Sequence, residues 1–224
     1  MSGDLRNFVE GLLLVLATLL PIVNPFGGAP VFLAMTADCT APLRATLAQK
    51  IAVNAFILLL GSLFIGAYVL DFFGLSVPIV QVGGGLVVCA NAWDLLRAES
   101  ATPNLPAATP SAIEIATRAF YPLTLPLTVG PGTISVAITI GAHHPQSVRS
   151  LLVNGVADTL GALLIAATVF VCYRYADRLL RVLGETGTSV LVRLSAFIVL
   201  CIGVQIVWTG VSALLATLPA SAVR

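Results

Sequence analysis

From Gly11 to Ala37 the chain carries no charged side chain, yet the stretch PIVNPFGGAP, residues 21–30, lies inside that run. Crossing about 30 Å of hydrocarbon takes roughly 20 apolar residues in a helix, and the run supplies them. Three prolines, two glycines and an asparagine within ten residues are what such a helix should avoid. Proline lacks the N–H and clashes with the carbonyl one turn back, and glycine adds no stiffness. An unpaired backbone group in lipid costs several kcal/mol, so an interrupted membrane helix survives only inside protein or beside water. The segment is therefore expected to be a span broken at Pro21, Pro25, Gly27, Gly28 and Pro30, facing the interior of a bundle.

Other stretches free of Asp, Glu, Lys and Arg run 51–70, 72–93, 119–148 and 194–223, and 150–173 is interrupted only by Asp158. Only 9% of the residues are charged and the mean hydropathy is +1.02, against about 25% charged in soluble domains. The expectation is an all-α integral membrane protein with six transmembrane helices and almost no domain outside the bilayer. Arg6 followed by the apolar run Gly11–Val23 looks somewhat like a signal peptide. Asp4 and Glu10 flank that run and no A-x-A-like site ends it, so it reads as the first span.

Lys and Arg set the orientation. Arg6, Arg149 and Arg224, three residues, fall on one side; Arg44, Lys50, Arg97, Arg118, Arg174, Arg178, Arg181 and Arg193, eight residues, fall on the other. The eight are expected to be cytoplasmic, with both termini periplasmic.

The chain also repeats itself. Residues 51–69 laid over 151–169 match at Val53/Val153, Asn54/Asn154, Leu60/Leu160, Gly61/Gly161 and further aliphatic pairs, an offset of 100. NPFG at 24–27 faces GPGT at 130–133 when Pro25 is set on Pro131, with Pro21 and Pro126 preceding each. Three spans per copy turn the second copy upside down, an inverted 3+3 repeat of the kind found in secondary transporters. The organisation expected is a first repeat at 1–96, a linker at 97–118 carrying Pro103, Pro106 and Pro110, an inverted repeat at 119–216 and a tail at 217–224. Spans 1 and 4 are the broken ones, the second at Pro126, Gly130, Pro131 and Gly132. Facing helix ends present N–H groups with partial positive charge and carbonyls with partial negative charge, a cradle for a small zwitterion or ion. A pair of structural kinks is the plainer reading.

Polar groups at span depth are few. Asn54 and Asn154 share a repeat position, and each begins a helical stripe that reaches a glycine, Gly61 or Gly161, seven residues on. Interhelical hydrogen bonding and lining of a substrate path are both open to them. Asp158 is the only acid well inside a predicted span; a charge at mid-bilayer costs roughly 2.5–3.5 kcal/mol on insertion scales. Its options are a proton-coupling site, a fixed hydrogen bond, or a shallow position near the interface. Thr124, Thr128 and Thr133 surround the second break and either return hydrogen bonds to freed carbonyls or reach a ligand. Gln81, Asn91, Asp94 and Gln205 are the polar groups of spans 3 and 6, and Trp93 and Trp208 fit interfacial or packing positions.

Catalytic and metal signals are missing from the sequence. Cys39, Cys89, Cys172 and Cys201 are scattered with no metal spacing and read as packing residues. His143 and His144 precede Pro145 and read as a surface turn. There is no Walker loop, nucleophile elbow or HExxH motif, and a net charge of +1 points to no nucleic acid. Neither an enzyme nor a cofactor is expected.

The segments NPFGGAPVFLAMT at 24–36 and FYPLTLPLTVGPGTISVAI at 120–138 resemble the signatures of the MarC family of bacterial inner-membrane proteins. Asn24, Pro25, Gly27, Pro30 and Phe32 match its first signature; Pro126, Leu127, Gly130, Pro131, Gly132 and Ile134 match its second. The resemblance covers nearly the whole chain and implies a carrier of small neutral amino acids such as alanine, serine or glycine. Phe26 stands where aliphatic residues are usual, which either narrows the pocket or alters packing. On this reading Asn24, Pro25, Gly27, Gly28, Thr128, Gly130, Pro131, Gly132 and Thr133 hold the substrate, Asn54 and Asn154 line its path, and Asp158 carries the coupling proton. The partners expected are the amino acid, a proton or other coupling ion and the lipid bilayer, with a homo-oligomer left open.

Overall fold

Two of the three prolines in the first span do not interrupt it. In the computed structural model, which describes residues 2–37, 39–97, 115, 117–143 and 148–217, helix α1 (Ser2–Val23) runs through Pro21 and α2 (Pro25–Met35) runs through Pro30. Only Asn24 leaves the helix, and α1 and α2 together form a single candidate span, Asp4–Met35. A proline inside a helix costs one rung of the ladder and a bend, which neighbouring helices in a membrane protein can absorb.

The remaining elements are α3 (Ala41–Phe64), the short α4 (Gly66–Phe72), α5 (Val77–Arg97), a π-helical segment (Ala119–Thr128), α6 (Pro131–Ala142), α7 (Val148–Arg174) and α8 (Ala176–Ala216). Among the described residues five helical stretches are long and apolar enough to cross a membrane, and the π segment with α6, bent by 67°, passes the same test as a pair, which makes six if the pair is one broken span rather than a re-entrant loop. The chain is thus an all-α integral membrane protein. Spans 2 and 3 are shifted from their expected ranges. α3 begins ten residues before Ile51 because Pro42 suits a first helical turn and Arg44 finds a partner. α5 begins only after Gly74, whose φ of 67° turns the chain. Most of the predicted linker, residues 98–114 and 116, and the tail from 218 onward lie outside the described residues, as does His144.

The two halves pack with matching neighbours. α1 packs on α7 and the π segment with α6 on α3; α5 packs on α6 and α8 on α2; α3 meets α7 and α5 meets α8. Exchanging the halves returns the same set of neighbours. The repeat register, however, is an offset of 110 rather than 100 for the second and fifth spans. At 110 the buried residues coincide: Ala48 with Asp158, Ile51 with Gly161, Ala55 with Ile165, Leu59 with Val169 and Leu63 with Tyr173. Gly74 and Gly184, both at φ 67°, then occupy matching turns after α4 and after the first two turns of α8. The offset of 100 rested on residue identities that an apolar composition produces by chance. It paired Gly61 with Gly161, but a Cβ on Gly61 would meet nothing within 4 Å, whereas one on Gly161 would lie 2.6 Å from Val15 Cγ1.

The core of the bundle is a stripe from each helix: Val15 and Leu19 of α1, Ile51, Ala55 and Leu59 of α3, and Ile165 and Val169 of α7 are each 0% exposed. Equally apolar residues such as Leu13, Ile57, Leu163 and Phe197 face outward. In lipid there is no hydrophobic penalty for that, so helices associate through close packing of small residues.

Candidate functional site

The first break is one residue wide. Asn24 has φ 47° and ψ 57°, the left-handed region that Asn tolerates better than other non-glycine residues. Its N–H still donates to the Leu20 carbonyl at 3.0 Å and its carbonyl accepts from the Gly28 N–H at 2.9 Å. Pro25 has no N–H to offer the carbonyl of Pro21, and the Gly27 N–H is taken by Asn24 Oδ1 at 3.1 Å. The new helix is thereby capped by its own Asn. Gly27 is required here, since a Cβ would collide with the Asn24 side chain and with Ser195 Oγ of α8.

The second break is wider. Tyr121 and Leu125 have extended backbone inside the π segment, so the expected regular half-helix before Gly130 is instead loosely wound. Two threonines repair it: Thr124 Oγ1 donates to the Ala119 carbonyl and Thr128 Oγ1 to that of Leu123, each at 2.7 Å. The Val129 N–H closes the segment on the Thr124 carbonyl at 2.9 Å. Asn54 Nδ2 reaches Thr124 Oγ1 at 3.4 Å, so this asparagine braces the break from α3. Gly130 is extended, Pro131 opens α6, and no side chain caps that helix.

Tyr173 joins the two breaks, and the sequence did not mark it. It is 0% exposed, its hydroxyl lies 3.0 Å from Thr128 Oγ1, and its ring stacks on Phe32 at 4.6 Å and 9°. A Cβ on Gly28 would sit 2.7 Å from that hydroxyl. A tyrosine beside Arg174 at a span end reads as an interfacial anchor; only the inward rotation of α7 shows otherwise.

Both breaks open on one cavity of about 1720 Å³. Near the breaks it is lined by Asn24, Gly28, Asn91, Thr128, Gly130, Gly132 and Thr133. α1 contributes nothing before Ile22 and α6 nothing past Thr133, so the cavity stops where the helices break. Its other end is lined by Asp94, Arg97, Asp177, Arg181 and Arg193, charges that lie at the arginine-rich end of the bundle. Arg44 pairs with Asp177 there at 2.6 Å and donates to the Thr36 and Cys39 carbonyls at 3.3 and 3.0 Å, while Arg118 donates to the Met35 carbonyl.

Beyond the breaks α6 packs closely on α5 and α3. A Cβ on Gly132 would lie 2.9 Å from the Gly84 carbonyl and collide with Val88; one on Gly141 would collide with the Leu63 carbonyl. Ser135 Oγ donates to the Val80 carbonyl at 2.7 Å, tying α6 to α5.

Several expected site residues are elsewhere. Pro25 and Gly27 are buried behind Asn24, and Pro131 faces away from the cavity between α5 and α6. Asn54, Asn154 and Asp158 do not line the cavity. Asn154 and Asp158 lie on a stripe of α7 turned toward α1: a Cβ on Gly11 would be 3.7 Å from Asn154 Oδ1 and 3.4 Å from Ala157. Asp158 is 1% exposed, buried in the bundle rather than at its surface. Phe26 is 47% exposed and points away from the cavity, so it does not narrow it. Asn91, seen in the sequence only as a polar group of span 3, does line it. Among the described residues no group of His, Cys, Asp or Glu could hold a metal ion, and His143 is exposed with its ring on the Thr139 carbonyl.

Comparison with known proteins agrees with this architecture. Residues 9–215 match the family described as MarC family integral membrane protein. The chain is 26% identical to a UPF0056 membrane protein of Archaeoglobus fulgidus over 93% of its own length and 96% of that protein. It is 28% identical to the UPF0056 inner membrane protein MarC of Salmonella typhimurium, with 90% and 94% of the two chains covered. The corresponding protein of Escherichia coli O1:K1 is 29% identical over the same shares, 90% and 94%. No solved structure matches. With the match running through both breaks and every span, the chain belongs to the MarC family of integral membrane proteins.

Proposed function

We propose that the protein is a secondary transporter that carries a small neutral amino acid across the bacterial cytoplasmic membrane by alternating access. The observation that carries this reading is the cavity that ends at both helix breaks, beyond which α6 packs closely on α3 and α5. A carrier needs a site reachable from one side at a time, and inverted repeats supply two such states by exchanging conformations. The residues around the breaks are uncharged, Asn24, Asn91, Thr128 and Thr133, which suits a zwitterion better than a net ion. By the positive-inside rule the arginine-rich mouth faces the cytoplasm, so this conformation is the inward-open one and both termini are periplasmic.

Asp158 is the candidate for coupling to a proton or other ion. Because it faces α1 rather than the cavity, it would act by changing how α7 packs on α1. The protein works as a carrier and not as an enzyme on this reading, and the gradients set whether it imports or exports. The test is counterflow of labelled glycine, alanine and serine in proteoliposomes, with and without an imposed pH gradient. Saturable counterflow supports the carrier. Flux that never saturates and shows no counterflow points to a channel, and no flux of any of the three from folded protein removes the assigned substrates.

A further inference from the structure

The two breaks are not equivalent as ligand sites, although the repeat makes them look so. At the first, Asn24 Oδ1 already accepts the Gly27 N–H at 3.1 Å, Pro25 has no N–H, and the Gly28 N–H is in the ladder at 2.9 Å. Only the Phe26 N–H stays open at that helix end, on a residue whose side chain points away from the cavity. At the second, Gly130 has no side chain to cap with and the ladder of α6 opens with the Ile134 N–H on the Gly130 carbonyl at 3.1 Å. The N–H groups of Gly132 and Thr133 precede that first bond and have no partner within the helix.

An independent observation comes from Thr133. It is 3% exposed and lines the cavity, and among the described residues its hydroxyl has no hydrogen-bond partner. Thr124 and Thr128, the other two threonines of this break, both return their hydroxyls to carbonyls at 2.7 Å. A hydroxyl that opens on the cavity without a partner, beside two open N–H groups, is a set of donors facing the space an acceptor would fill. Asn91 extends the set: a Cβ on Gly130 would lie 3.5 Å from its Nδ2, which places the amide beside the same helix end.

We infer that the carboxylate of the carried amino acid docks at the N-terminus of α6, on the N–H groups of Gly132 and Thr133, the Thr133 hydroxyl and the Asn91 amide. The first break, capped by Asn24, takes no carboxylate. The partial positive charge of a helix N-terminus favours this anion, and the absence of a fixed positive charge there leaves the amino group unrepelled. This assignment rests on the transport reading above.

The experiment is competition against counterflow of labelled glycine, alanine and serine, in wild-type proteoliposomes and in Thr133→Val. Alaninamide, which keeps the amino group and the methyl but has no carboxylate, is expected to compete at least ten-fold more weakly than alanine. Thr133→Val is expected to raise the half-saturating concentration about ten-fold, as for a lost hydrogen bond to a charged group, with the melting midpoint of the purified protein little changed. If Thr133→Val does not fold, the wild-type competition decides alone. Counterflow that is present while alaninamide competes within two-fold of alanine overturns the carboxylate assignment and leaves the carrier standing. So does an unchanged half-saturation in folded Thr133→Val. No counterflow in folded wild type removes the carrier reading itself, and the docking site with it.

Discussion

The contact between Gly28 and Tyr173 predicts a substitution that is harmful alone and harmless beside a second one. A Cβ on Gly28 would lie 2.7 Å from the Tyr173 hydroxyl, and the next nearest atoms, Cε1 and Cζ of the same ring, would be 3.5 Å away. The ring cannot swing aside, because it is stacked on Phe32 at 4.6 Å and is fully buried. Gly28→Ala should therefore cost about 1–3 kcal/mol, the usual range for overpacking a core. Tyr173→Phe removes the offending atom and one hydrogen bond to Thr128, whose own hydroxyl stays on Leu123. Its cost should be about 0.6 kcal/mol, the mean for a hydrogen bond between membrane helices. In the Tyr173→Phe background the methyl introduced at position 28 meets only ordinary van der Waals contacts. Alanine is then favoured over glycine in a helix by up to about 1 kcal/mol. The double-mutant cycle should show about 1–3 kcal/mol of relief, well above the roughly 0.5 kcal/mol expected of independent sites. Thermal unfolding in detergent reads it, at about 2–4 °C per kcal/mol for a chain this size. Equal losses from Gly28→Ala in the wild-type and Tyr173→Phe backgrounds would refute the reasoning, since the clash would then not be with the hydroxyl.

Other substitutions test the remaining parts of the site. Asn24→Ala removes a cap and places alanine at φ 47°, and should lower stability by about 1–2 kcal/mol, while Asn24→Gly, which accepts that φ, should cost only a few tenths; denaturation midpoints of the pair check it. Gly132→Ala should destabilise by about 1–3 kcal/mol because its Cβ meets Val88 and the Gly84 carbonyl. Gly83→Ala, with nothing within 4 Å, should be neutral or stabilising, and thermal melts of the two should move in opposite directions or differ by several degrees. Asp158→Asn should leave counterflow intact and abolish its acceleration by a pH gradient; acceleration that persists in the variant would take the coupling role away from Asp158.

The class of the protein was legible because lipid imposes a strong compositional demand on every span. The position of both breaks was legible for a related reason, since Asn24–Pro25 and Gly130–Pro131 are too disruptive to sit in an unbroken membrane helix. How disruptive each is could not be read. Pro21 and Pro30 look as damaging as Pro131, yet they lie within helices, while the break before Pro131 bends its span by 67°. The difference lies in what surrounds them: Asn24 restores most of its own ladder, whereas Tyr121 and Leu125 have already left helical geometry before Gly130 is reached.

The sequence by itself determined the membrane-spanning class, the family and the two places where a span must fail. Those follow from the chemistry of single residues against a uniform solvent. Only the tertiary structure decided the repeat register of 110, the inward turn of Tyr173, and the separation of Asn54, Asn154 and Asp158 from the cavity that Asn91 and Thr133 line. In a bilayer an apolar side chain is as welcome facing lipid as facing protein. Hydropathy therefore does not set helix rotation, and rotation is fixed by which small residues let neighbouring backbones touch, as Gly132 and Gly84 do here.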